Sequence, residues 1–268
     1  MIKKPLYFSG FFFYKTFNIW VANKIGVAVA NYVLLDNNTH KDLKILTGFS
    51  SELGDNVGYT LVLPNEFRQI QAHYPIVFRK DAETKLFESM ALLGLQEDEN
   101  LYIEHDHWHA SYVPLTVRRK PFLIGFRNNN KDDPVIYVDS NSPRVNYKNG
   151  EKVFLEFGGN SDYLKSIGTI LTEILDGIDV CRAFINTLMS FDLLEPFTLK
   201  MELDNSSVVE VSAFHTINED KLRALDADSL GALHSKGYLE LIYMIIASLS
   251  NFRTLIDKKN KRAREILS

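Results

Sequence analysis

A single cysteine, Cys181, serves 268 residues, and one thiol excludes any disulfide within the chain. It sits in the stretch IDVCRAFINTLM, where helical spacing sets Ile178, Cys181, Ile185 and Leu188 on one apolar face. The thiol is therefore expected to be buried and inert, and it permits a reducing compartment without requiring one. An excess of cations is also missing. The formal net charge is -4 and the isoelectric point near 6.0, so the chain as a whole has no attraction for nucleic acid. Its one basic run, residues 258–264, is expected to complement a helix dipole and fray into solvent. Long hydrophobic runs are absent: LELIYMIIASLS at 239–250 is too short to cross a bilayer. Near the N-terminus Lys15, Asn18, Asn23 and Lys24 interrupt the apolar path that a signal peptide needs. These readings predict a soluble, cytoplasmic chain without a membrane span. There is no GxGxxG after a strand, no P-loop, no HExxH and no GxSxG. No catalytic residue and no cofactor is assigned.

What is present is an ordinary globular composition, 46% hydrophobic and 12% aromatic, enough to bury a sizeable core. Short β-rich runs fill the region from 25 to about 157: VAVANYVLL, YTLVL, YPIVF, NLYI, PFLIGF and VIYVD. Turn residues separate them, and the Asn-rich stretch at 128–134 predicts a hairpin between PFLIGF and VIYVD. Pro64 predicts a short helix at Pro64-Asn65-Glu66-Phe67. Beyond 160 helical spacing takes over. Asn160 or Ser161 caps a helix facing inward through Leu164, Ile167, Leu171 and Ile174, Gly177 breaks it, and the Cys181 helix ends near Glu195-Pro196. Thr216 with Glu219 reads as a capping box, Asp226 as a cap, and Gly237 as the stop before a last helix from Tyr238 to about Lys258. That helix is apolar nearly all round and is expected to lie buried. Strands followed by helices predict an α+β fold. We read residues 1–24 as an extension, 25–258 as one domain and 259–268 as a basic tail.

Two clusters carry candidate chemistry. In Glu104-His105-Asp106-His107-Trp108-His109 the histidines recur with period two, so a strand would put His105, His107 and His109 on one face. Imidazoles so placed are zinc or iron ligands if distant groups join them, which would make the chain a metal-dependent enzyme. The alternative is a polar turn whose rings face water. The second cluster is Arg118-Arg119-Lys120-Pro121-Phe122 in a neighbourhood rich in aromatics. Guanidinium and aromatic groups together suit recognition of an anionic or peptide-like group. Trp108, Tyr112, Arg118, Arg119 and Asp139 are accordingly the expected ligand-binding residues, with structural ion pairs as the competing role for the arginines.

The order of short blocks resembles the bacterial SapC-like family. The blocks are His40-Lys41-Asp42-Leu43, Glu66-Phe67, residues 74–78, Leu93-Gly94-Leu95, Glu99-Asn100-Leu101, Trp108 and residues 118–122. Ile136-Tyr137-Val138-Asp139, Leu193-Leu194-Glu195-Pro196, Lys221-Leu222 and the helix after Gly237 continue the series. The resemblance runs from about 28 to 257 and implies an accessory protein of a surface-layer or envelope system, with an envelope or surface-layer protein as partner. It supplies no catalytic residues.

Overall fold

The computed structural model describes residues 31–267 other than 83, 128–132 and 205; the extension at 1–24 lies outside them. Along the chain the strands are β1 (Tyr32–Leu34), β2 (Lys44–Ile45), β3 (Tyr59–Leu61), β4 (Ile76–Lys80), β5 (Phe87–Leu92), β6 (Ile103–Glu104) and β7 (His107–Trp108). β8 (Phe122–Phe126), β9 (Pro134–Asp139), β10 (Val145–Asn146), β11 (Glu151–Lys152), β12 (Leu194–Glu202) and β13 (Val208–Ile217) follow. The helices are α1 (Phe67–Ile70), α2 (Leu115–Arg118), α3 (Asp162–Ser190), α4 (Glu219–Arg223), α5 (Ala227–Ser235), α6 (Tyr238–Ser248) and α7 (Phe252–Leu267). Strands dominate the first half and helices the second, and every strand pair is antiparallel. The fold is α+β.

Two compact units divide these elements. Of the described residues, the first comprises those in 31–47 and 119–172. Within it β8 and β9 form the expected hairpin, β1 pairs with the other side of β9, and β2 lies between β10 and β11. Apolar positions of these short strands, Ile45, Phe122 and Val138, are buried, as is Val153 just after β11. Gly150 adopts φ of 109° beside β2, where an added Cβ would lie 2.4 Å from the Ile45 carbonyl oxygen. Only glycine fits that approach.

The second unit comprises residues 48–118 and 173–268. Its sheet runs β12-β13-β4-β5-β3. On β4 Ile76, Val77 and Phe78 are all buried in succession, the mark of a strand covered on both faces. The 3₁₀ turn Pro64–Glu66 leads into α1 as the proline predicts.

The helical region departs from the sequence reading in four places. Gly177 does not break a helix. Helix α3 is continuous, and the two apolar faces expected on separate helices form one buried stripe from Leu164 to Leu188. The glycine has another use: a Cβ there would come within 2.9 Å of the Asn65 and Leu63 side chains. The helix then stops at Ser190, and the hairpin of β12 and β13 starts where the helix end is expected, near Glu195-Pro196, and runs through residues to which the sequence reading assigns no element. Third, Asn218 and not Thr216 caps α4, its side chain accepting from the Lys221 amide at 2.8 Å, whereas Ser161 and Asp226 cap as expected.

The last helical region is the fourth. Residues 238–265 are long and apolar enough, by length and composition, to cross a membrane, with a mean hydropathy of 1.4 in the most apolar window. Only one face of α6 is buried, through Ile242, Ile245 and Ser248, while Tyr243 is 57% exposed. The basic run does not fray. It belongs to α7, where Lys259 pairs with Glu99, Lys261 with Glu104, and Arg262 donates to the carbonyls of Asn100 and Ile103.

Candidate functional site

Trp108, Tyr112 and Arg118 belong to the second unit, and two of them meet on Tyr74. The Trp108 indole Nε1 donates to the Tyr74 hydroxyl at 2.7 Å, and that hydroxyl donates to the Tyr112 carbonyl at 2.5 Å. Trp108 also stacks with Tyr102, centroids 6.4 Å apart, and meets Phe49 edge-on at 5.3 Å. The Lys258 ammonium lies 5.0 Å from the Tyr102 ring centre. Burial pushes the Tyr74 and Tyr102 hydroxyls far up, so both stay neutral: Tyr74 donates to Tyr112 while accepting from Trp108, and Tyr102 donates to the His73 carbonyl.

Beneath Tyr112 sits a carboxyl that sequence reasoning passed over. Glu66 is 2% exposed. Its Oε1 accepts from the Leu63 amide at 3.1 Å, and Oε2 accepts from the Leu115 amide and the Tyr112 hydroxyl at 3.0 Å each. Three donors favour the carboxylate, as does the charge of Arg118. Desolvation outweighs them and pushes the carboxyl up to about 7. Arg118 itself is exposed at the end of α2. The local signal was an acid three residues after Leu63 at a Pro-initiated turn, the geometry by which a side chain reaches back to cap its own helix.

Arg119 and Asp139 belong to the first unit. The Arg119 side chain is buried and donates through Nη1 to the Phe122 carbonyl at 2.7 Å. Asp139 Oδ1 accepts from the amides of Asn31 and Asn141, each at 3.1 Å. Both side chains are engaged with backbone in their own unit.

The histidine expectation fails on geometry. His105 and Asp106 have φ of 49° and 62° and form the turn between β6 and β7, so no single strand carries the three rings. His107 Nδ1 lies 2.7 Å from the His105 carbonyl oxygen and His109 Nε2 lies 3.2 Å from that of Glu104. Among the described residues no group of three His, Cys, Asp or Glu is arranged to hold a metal ion.

The second unit also contains a cleft of about 380 Å³ that sequence reasoning missed. Tyr59 of β3, Arg79 of β4, Phe214 of β13, Gln96, Glu97 and Ser212 are among the residues around it. The Arg79 guanidinium lies 4.8 Å from the Tyr59 ring centre and also donates to its hydroxyl. Phe214 meets Tyr59 edge-on at 5.9 Å. Glu97 and Glu210 add negative charge. One wall is backbone packed on backbone: a Cβ on Gly58 would lie 1.9 Å from the Gln96 carbonyl oxygen, and one on Gly94 2.2 Å from that of Glu99. On the other side a register shift in the β12–β13 pairing between Phe197 and Leu199 sets Ser212 and Ala213 in a bulge, with Ala213 at φ of 67°. Bulges re-aim a strand and its side chains.

The SapC family model matches residues 35–255. The chain belongs to the SapC family. The match takes in both Trp108–Tyr112 and the cleft, and so places each in the family's region of the chain. No curated protein and no solved structure matches this SapC chain.

Proposed function

We propose that this SapC protein is an accessory binding protein of a bacterial surface-layer or envelope-transport system, acting on a peptide-like partner from the cytoplasm. The cleft on the five-stranded sheet carries the reading. A volume of about 380 Å³ is of ligand size. Its chemistry is mixed: a guanidinium over the Tyr59 ring, which Phe214 meets edge-on, the carboxylates of Glu97 and of Glu210, the latter paired with Lys200 at 3.2 Å, and a serine hydroxyl. A polyanion such as nucleic acid would meet Glu97 and Glu210 unfavourably, whereas a peptide offers carbonyls, amides and charges of both signs to answer this set.

The test is deletion of the gene, followed by quantification of surface-layer protein exposed to protease on intact cells. Display is expected to fall, and to be restored by the wild-type gene but not by a form carrying Arg79→Ala and Phe214→Ala. Unchanged display together with an unchanged envelope protein profile would overturn the proposal.

A further inference from the structure

Strand β13 pairs with β12 along its length, from Ile217 opposite Leu194 to Val208 opposite Glu202. With its other neighbour, β4, it pairs only at Phe214 opposite Arg79 and His215 opposite Phe78. From Val208 to Val211 β13 has a ladder on one side only among the described residues, and at the bulge Ser212 and Ala213 have a register partner on neither strand. In a strand alternate residues direct N–H and C=O to each side, so the open side carries both donors and acceptors. Glu210 and Val211 of this stretch, together with Ser212 and Ala213 of the bulge, line the cleft. An open strand edge therefore coincides with a ligand-sized space, and the two observations are independent.

We infer that the cleft takes an extended peptide segment, which adds to β13 as a strand along Val208–Val211. This deepens the proposed peptide-like partner and rests on it. Main-chain hydrogen bonds to β13 supply affinity that is indifferent to sequence, and the surroundings select side chains. Arg79, lying over the Tyr59 ring, receives a carboxylate on the segment. Glu97 receives a cation. The preferred segment is thus extended, with one acidic residue and a basic residue near it. The exposed position of Ser212 makes the site open to a blocking substitution that leaves the core untouched.

The experiment uses the full chain and a library of acetylated peptides of about six residues, enough to span the open edge Val208–Val211 with about one residue beyond each end. Each member carries one Asp and one Lys. The tightest binder is remade with N-methyl groups on its odd residues or on its even ones, which removes the donors from one edge at a time. One of the two forms is expected to lose affinity by about tenfold or more and the other to keep it. Ser212→Trp, checked for an unchanged melting temperature, is expected to abolish binding of the unmethylated peptide. Equal retention or equal loss in the two methylated forms would overturn strand addition while leaving peptide recognition standing. Undiminished binding to S212W would overturn the location. Failure of every peptide to bind would overturn the proposed peptide-like partner itself, and this inference with it.

Discussion

Glu66 shows how one residue can set a pH dependence for the whole second unit. Its carboxyl is pushed up to about 7 from an ordinary 4.5, burial being the largest cause. The folded protein thus prefers the protonated form more than the unfolded chain does. The associated stability is fully present below about pH 4.5 and is lost as pH rises through about 7. A displacement of this size corresponds to roughly 3 kcal/mol. We expect urea denaturation midpoints of the wild type to decline between about pH 5 and pH 8 relative to Glu66→Gln, which cannot ionise. Parallel pH profiles for the two proteins would show that Glu66 is not the group responsible. The variant should also be less stable at low pH by about 1–3 kcal/mol, because its amide opposes one set of donors that now meets a carboxyl oxygen. Cys181 conforms to the sequence reading: burial pushes its thiol up to about 11, and it lies 3.3 Å from the Ser89 hydroxyl.

Among the elements, α7 converts charge that looks solvated in the sequence into fixed contacts. Lys259 and Glu99 pair with side chains only 19% and 9% exposed, and Glu99 also accepts from the Leu95 amide at 3.1 Å. Removing one member of such a pair strands the other, at a cost of about 3–5 kcal/mol for a fully buried pair. Arg223 and Asp220 on α4 form an ion pair with both side chains mostly exposed, where about 0–1 kcal/mol is typical. Lys259→Ala is therefore expected to lower stability by about 2–4 kcal/mol and Arg223→Ala by well under about 1 kcal/mol, as measured by chemical denaturation. Equal effects would mean that the basic run is solvated after all. The β12–β13 hairpin illustrates the opposite difficulty. Its residues alternate in burial, as in Thr198 to Glu202, yet Pro196 and the charged positions at 195, 200, 202 and 210 dilute the strand pattern. Its partner β4 lies more than a hundred residues earlier in the chain.

At the scale of the molecule, both units are assembled from two separated stretches of chain. In the first, β2 is the middle strand between β10 and β11, and β1 flanks β9. A fragment of residues 119–172 lacks both, leaving a two-stranded hairpin, which is marginal in water. We expect such a fragment to give poorly dispersed amide resonances by NMR, whereas the intact chain gives dispersed ones. A folded fragment would show that β1 and β2 are dispensable.

Local sequence pattern was enough to establish the α+β class, the hairpin of β8 and β9, the Pro64 turn, the Ser161 and Asp226 caps, the buried thiol and the SapC family. Each of these rests on local periodicity, on a turn or cap residue, or on a linear order of blocks, all of which are properties of neighbours in the chain. That Gly177 marks close packing and not a break follows from the three-dimensional fold, because the Leu63 and Asn65 side chains that approach it come from another segment. The fold likewise decided that the three histidines fall around a turn. Glu66 owes its displaced carboxyl to burial, which no spacing in the sequence expresses. The cleft joins Tyr59, Arg79 and Phe214 from strands far apart in the chain, and β13 is open where β4 ends. Such features depend on which surfaces meet in space, and desolvation and strand pairing act only once they have met.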